Sequence, residues 1–205
     1  MKQVQSIGVW GDSVMKGVIY DEEKARYTLL SESGADKASR KLGLRLFNRS
    51  RMGCTVTKGL SLLKKDLQKA EKPCDAALIE FGGNDCDYAW EEVAAHPEAE
   101  HQPKTPLPLF VSPLRDMIAL VRQKGMEPVM MTLPPIHAQR YFDFFTRGGL
   151  SKDNVLAWLG DVQHIYRWHE RYNAAVVRVA QACGCPLADV RDCLLYTSPS
   201  PRDRT

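Results

Sequence analysis

Two short motifs hold the residues best suited to chemistry. Gly11-Asp12-Ser13 follows an apolar run at residues 4–10, and Gly82-Gly83-Asn84-Asp85 follows a second one at residues 76–81. The first offers a hydroxyl, the second a carboxamide that donates hydrogen bonds without carrying charge. Such a pair suits acyl transfer, in which charge develops on a carbonyl oxygen and fixed donors stabilise it; one donor is worth about 3–4 kcal/mol in subtilisin. Each motif alone reads equally well as a turn, because Gly, Asp, Asn and Ser all favour turns. Their joint occurrence, each behind an apolar run and about seventy residues apart, makes acyl-transfer hydrolysis the leading reading.

Those motifs need a scaffold that brings them together. Five short apolar segments, at residues 4–10, 44–48, 76–81, 128–133 and 187–190, alternate with helix-like stretches. That alternation predicts an α/β protein, a three-layer α/β/α sandwich around a flavodoxin-like parallel sheet of about five strands. In the order 2-1-3-4-5 the first and third strands are neighbours, and ligands bind beyond their carboxyl ends. Leu60, Leu63, Leu67 and Ala70 repeat at helical spacing, as do Leu114, Met117, Ile118 and Val121 after Pro113. Ile165, Trp168, Tyr172, Val176, Val179 and Cys183 form a longer stripe that ends near Gly184. A shorter helix is expected at 35–42. Residues 17–30 read as a loop or small hairpin, and the proline-rich stretch 86–113 as an irregular excursion with a short helix at 90–95.

With these motifs in place, the chain resembles the SGNH, or GDSL-type, hydrolase superfamily over most of residues 4–192. The resemblance implies that Ser13 is the nucleophile and that its amide helps form an oxyanion hole. It implies further that the amide of Gly53, in Asn48-Arg49-Ser50-Arg51-Met52-Gly53, and the side chain of Asn84 complete that hole. No metal or organic cofactor is implied, and the partner is a small-molecule ester, with an acylated saccharide or a lysolipid left open. Physical chemistry supports the same roles: a glycine at 53 would let its backbone approach the oxygen closely. Asp12 sits too close in sequence to serve as the acid of a triad and is expected to brace the turn.

The resemblance also implies an Asp-x-x-His block after the fifth strand, followed by a final helix. Here the segment after residue 190 reads Arg191-Asp192-Cys193, without histidine. From Leu194 onward the sequence resembles translated adapter read-through and is expected to be disordered, so the domain is placed at 1–193, with 194–205 as a tail. A longer natural product carrying the base, and negligible activity in the present form, are the corresponding expectations. Asp161-Val162-Gln163-His164 matches the letters of the block but precedes the long helix. It reads instead as a helix start, in which Asp161 favours the exposed amides. His137, after the fourth strand, is a candidate substrate contact.

Composition narrows the alternatives. The 28 basic and 25 acidic residues are spread along the chain, giving +3 overall and no polyanion-binding stripe, so nucleic acid is not an expected partner. Apolar runs are strand-sized, so no membrane span is expected, and no secretory signal is evident. Six cysteines without Cys-x-x-Cys pairing read as reduced thiols, consistent with the cytoplasm. Tyr20, Trp90, Tyr141, Phe142, Phe144 and Phe145 could line an acyl or leaving-group pocket or hold loops down. Two other readings stay open: a non-catalytic carbohydrate- or acyl-binding module, and a flavodoxin-like mononucleotide binder using residues 11–17. The latter lacks a phosphate-loop lysine.

Overall fold

Alternating side chains on five parallel strands divide the molecule into two unequal faces. The computed structural model describes residues 4–69 and 72–197. From the amino end come β1 (Ser6–Trp10), α1 (Ser13–Lys16), the antiparallel hairpin β2 (Val18–Asp21) and β3 (Arg26–Leu29), α2 (Gly34–Lys41) and β4 (Arg45–Asn48). Then follow α3 (Val56–Lys69), β5 (Ala76–Ile79), α4 (Trp90–Ala95), α5 (Leu107–Gln123) and β6 (Glu127–Met131). The chain closes with α6 (Ala138–Thr146), α7 (Lys152–Leu159), α8 (Gln163–Ala182), β7 (Leu187–Ala188) and α9 (Val190–Thr197).

The large sheet has the order β4-β1-β5-β6-β7 with every pairing parallel, which is the expected 2-1-3-4-5 arrangement. On one face, Trp10, Ala77, Ile79 and Met130 meet α3, α5 and α8 in a continuous buried core. Helix α3 presents Val56, Gly59, Leu63 and Leu67 to it, so Leu60 only flanks the contact, and Ala70 lies outside the described residues. On the other face, Ile7, Leu46, Leu78 and Val129 line an apolar groove of about 780 Å³ bordered by α2 and α9.

Several elements differ from the sequence reading. The first strand begins at Ser6, because the Asp75 carboxylate takes the amides of Gln5 (3.1 Å) and Ser6 (3.0 Å) and the Ser6 hydroxyl (2.8 Å). Helix α5 starts at Leu107, six residues ahead of Pro113, with Pro108 in its first turn, where the missing N–H costs nothing. Pro113 forgoes one bond on the exposed Leu109 side while Phe110 and Leu114 are held in the core. Helices α6 and α7 were not expected; they build a second apolar cluster with Tyr88, Trp90 and Ile165. Beyond β7, α9 carries helical structure past residue 193 to Thr197. Asp189 accepts from Asp192 N (3.1 Å), and buried Arg191 bonds Leu133 O (3.2 Å) and pairs with Glu170. Residues 198–205 of the expected tail lie outside the described residues.

Candidate active site

Parallel pairing of β1 with both β4 and β5 delivers three loops to one edge of the sheet. Ser13 opens α1, Gly53 lies between β4 and α3, and Asn84 lies between β5 and α4. All three line a single cavity of about 510 Å³, a size ordinary for small-molecule sites. Cross-links hold the loops together: Arg51 N donates to Gly11 O (3.1 Å), and Asn48 Nδ2 donates to Met15 O (2.8 Å).

Local backbone chemistry sets each of the three. Asp12 caps α1 by accepting from Val14 N (2.8 Å), so it does brace the turn, and Ser13 stands half-buried in a first turn whose amides lack intrahelical acceptors. Gly53 adopts φ +64°, yet a Cβ there would meet nothing within 4 Å. Within the protein, the left-handed backbone rather than crowding by neighbouring residues asks for glycine there. Gly82 has both reasons, with φ +143° and a Cβ position 2.6 Å from Leu133 Cδ1. This close turn against β6 sets the direction of Asn84, whose Nδ2 donates to Asp12 Oδ2 (2.9 Å). One N–H of the carboxamide is thereby committed, and the second is left over.

Around the three lies a set of buried carboxyls, of which the sequence reading singled out Asp12 alone. Asp12 is 3% exposed, Glu80 1% and Asp85 0%. Burial raises Asp12 and lifts Glu80 well above the usual carboxylate range, with the neighbouring Asp12 charge adding to the effect on Glu80. Burial also pushes Asp85 up to about 6, against bonds from Thr105 and from Val56 N, the first amide of α3 (2.9 and 3.2 Å). A glutamate closing an otherwise apolar strand, directly before Phe81 and the Gly-Gly-Asn-Asp motif, was the signal available for Glu80.

The cavity wall is aromatic and pinned. Asp87 Oδ1 accepts from Trp90 Nε1 (2.8 Å) and Tyr141 Oη (2.7 Å), while its Oδ2 pairs with Lys104 Nζ (2.7 Å). Trp90 and Tyr141 line the cavity, one of the two roles left open for them, while also packing in the second cluster, and Tyr27, Tyr88 and Trp168 join them on the wall. Phe142 and Phe145 instead pack the second cluster, and Tyr20 with Phe144 seats the hairpin on α6 (5.0 Å between ring centroids).

Histidine placement separates two sequence candidates. His137 caps α6 through Nδ1, accepting from Arg140 N (3.3 Å), and is not among the lining residues. His164 does line the cavity, stacked on Trp168. Asp161, however, accepts from Gln163 N (3.0 Å) and Arg167 (3.0 Å) rather than from the His164 ring, which is the helix-start role expected of it. His169 also lines the cavity; burial, with Arg191 nearby, pushes it down to about 4, and its Nδ1 has no partner among the described residues. Neither imidazole is bonded to Ser13 among the described residues. No group of three or more His, Cys, Asp or Glu among them is arranged to hold a metal ion, and no helix among them is long and apolar enough to cross a membrane.

A five-stranded parallel sheet with a cavity at the carboxyl edge of its first and third strands is the frame of SGNH hydrolases. The chain belongs to the GDSL-like Lipase/Acylhydrolase family, whose model matches residues 9–204. Solved structures agree on the fold. A lipase/acylhydrolase from Enterococcus faecalis superposes with TM-score 0.55 at 16% identity, over 97% of this chain and 81% of that one. An SGNH-hydrolase family esterase gives 0.58 at 16%, over 98% and 83%. A catalytic mutant of an acetylxylan esterase from Geobacillus stearothermophilus gives 0.62 at 17%, over 98% and 85%. No curated protein sequence matches this chain. Membership makes the activity class ester hydrolysis and the partner a small-molecule ester.

Proposed function

We propose that Ser13 attacks a carboxylic ester to form an acyl-serine, with the Ser13 and Gly53 amides and the free Asn84 N–H holding the oxyanion. The observation that carries this reading is the meeting of Ser13, Gly53 and Asn84 on one cavity. An acetylated saccharide is the favoured substrate: the aromatic side chains of Tyr27, Tyr141 and Trp168 line the same cavity as the serine, and a structural neighbour is an acetylxylan esterase. Proton transfer is the weak part of the site. His169, pushed down to about 4 by burial, is neutral at pH 7 but sealed at Nδ1, and no carboxylate among the described residues is bonded to the His164 ring. Turnover by these 205 residues is accordingly low, left to the oxyanion donors and binding, which still give about 10³–10⁴ over water in serine proteases without an intact triad.

Mass spectrometry after exposure to p-nitrophenyl acetate tests both parts. Slow acetylation confined to Ser13, and lost in Ser13→Ala, is the expected result. Acetylation spread over lysines and unchanged in Ser13→Ala would remove the nucleophile assignment. Turnover at a normal serine-esterase rate, lost in both Ser13→Ala and His164→Ala, would instead make His164 the base.

A further inference from the structure

Glu80 is a buried carboxyl at the end of a central strand, and its surroundings are built for it. It follows the last residue of β5, is 1% exposed, and forms the floor of the Ser13 cavity. Its Oε2 accepts from Asp12 N (3.3 Å). Gly11 makes the room: a Cβ there would come within 3.0 Å of that same oxygen. Through that amide hydrogen bond the two buried carboxyls adjoin, each acting on the other's proton affinity, and no Lys, Arg or His among the described residues pairs with either. Two adjoining carboxylates, both buried, disfavour each other's ionisation, so the pair shares one proton. Asp12 already uses Oδ1 for Val14 N and Oδ2 for Asn84 Nδ2. An ionised acceptor suits Asp12, and the proton belongs on Glu80.

We propose that Glu80 is a positioning residue: it keeps its proton and donates that O–H to Asp12, holding the Asp12 carboxylate as common acceptor for Val14 N–H and Asn84 Nδ2–H. Asn84 is thereby locked with its second N–H available to the cavity, and the Ser13 turn is locked with it. Asp85, from the same loop, the buried Cys86 thiol beside it and the Cys54 thiol ahead of α3 are the other titratable groups acting on the pair; Arg51 and Lys58 act there at longer range, on Cys54. The oxyanion role of Asn84 rests on the proposed function, whereas the place of the proton does not.

Infrared spectroscopy and side-chain amide NMR on the whole chain test this together, at mildly alkaline pH where Asp85, at about 6, is ionised. A protonated-carboxyl band should be present in the wild type, absent in Glu80→Gln and retained in Asp85→Asn. The Asn84 Nδ2 resonances should move in the wild type at the pH where that band disappears. In Glu80→Gln, whose amide N–H replaces the O–H at every pH, they should hold still through the same range. A wild type without the band, or Asn84 resonances that move alike in both proteins, would overturn the proposal. Loss of Ser13-dependent acetylation in every variant, with band and resonances as expected, would count against the ester reading alone. Glu80→Leu, if it folds, should displace the Asn84 resonances at all pH; because Glu80→Gln keeps a donor, the test does not depend on that variant surviving.

Discussion

At the residue scale, Asn84 carries the clearest functional expectation. Its carboxamide touches Asp12 on one side and the Ser13 cavity on the other. Asn84→Ala should lower the rate of Ser13 acetylation by about 10²–10³, the cost of one oxyanion donor, while leaving the fold unchanged by circular dichroism; an unchanged rate would remove Asn84 from the site. Asp85 makes a prediction about pH. Its folded value of about 6 lies above an unfolded value of roughly 3.9. Between the two the folded state binds more protons, so stability falls as pH rises through that window, and the deficit persists above it. Asp85→Asn keeps an acceptor for Val56 N but cannot ionise. Relative to wild type it should gain on the order of 2 kcal/mol between about pH 4 and 7 in urea unfolding, and parallel curves for the two proteins would refute the buried-acid account.

At the element scale, the docking of α3 on the strand β5 and its following loop turns on Gly59. On helix propensity alone, Gly59→Ala should stabilise by about 1 kcal/mol. Here the added methyl would overlap the Phe81 ring, which is fully buried and has nowhere to move. Overpacking of that kind costs about 1–3 kcal/mol, so the net effect should be destabilising. Phe81 directly precedes Gly82, Gly83 and Asn84, and displacing it should also slow Ser13 acetylation. A rise in melting temperature on Gly59→Ala would mean that α3 slides freely on the sheet. The hairpin β2–β3 belongs to the same scale. It is clipped to α6 by Tyr20 on Phe144 and by Arg147 over both rings (4.5 and 4.1 Å), which brings Tyr27 to the cavity wall.

At the scale of the whole molecule, the two faces of the sheet are energetically unequal. Leu63 sits in the sealed core beneath α3, while Leu46 is half-buried beside the apolar groove between α2 and α9. Leu63→Ala should cost about 2–5 kcal/mol in urea unfolding, and Leu46→Ala only about 1 kcal/mol, in proportion to the smaller area it takes from water. Under native conditions the groove should also bind an environment-sensitive hydrophobic dye saturably, with the signal reduced by Leu46→Lys. Equal costs for the two alanine variants, with no dye signal, would show the second face to be as well sealed as the first.

The five strands of the large sheet and helices α2, α3, α5 and α8 were legible, to within a few residues at their ends save the start of α5, from residue pattern alone. Alternating and periodic apolar spacing reports burial directly, and five apolar runs between amphipathic stretches call for a parallel sheet; the order 2-1-3-4-5, and with it the neighbouring of Ser13 and Asn84, came from taking that sheet as flavodoxin-like. The short helix at Trp90–Ala95 was equally plain. Other features had no local signature. Pro113 within α5 is tolerated because core burial of Phe110 and Leu114 outweighs one lost bond. The left-handed turn at Gly53 shows only as a glycine among turn residues. The carboxyl pair at Asp12 and Glu80, sixty-eight positions apart, exists only because β1 and β5 lie side by side. His164 and His169 reach the serine cavity, and His137 does not, because α8 crosses that rim while α6 turns His137 into its own cap. Local pattern decides which segments are strand or helix, because each buries its own face. Proximity between distant polar groups is decided by tertiary packing, because burial, shared protons and unmet donors are properties of neighbours that no single stretch of chain contains.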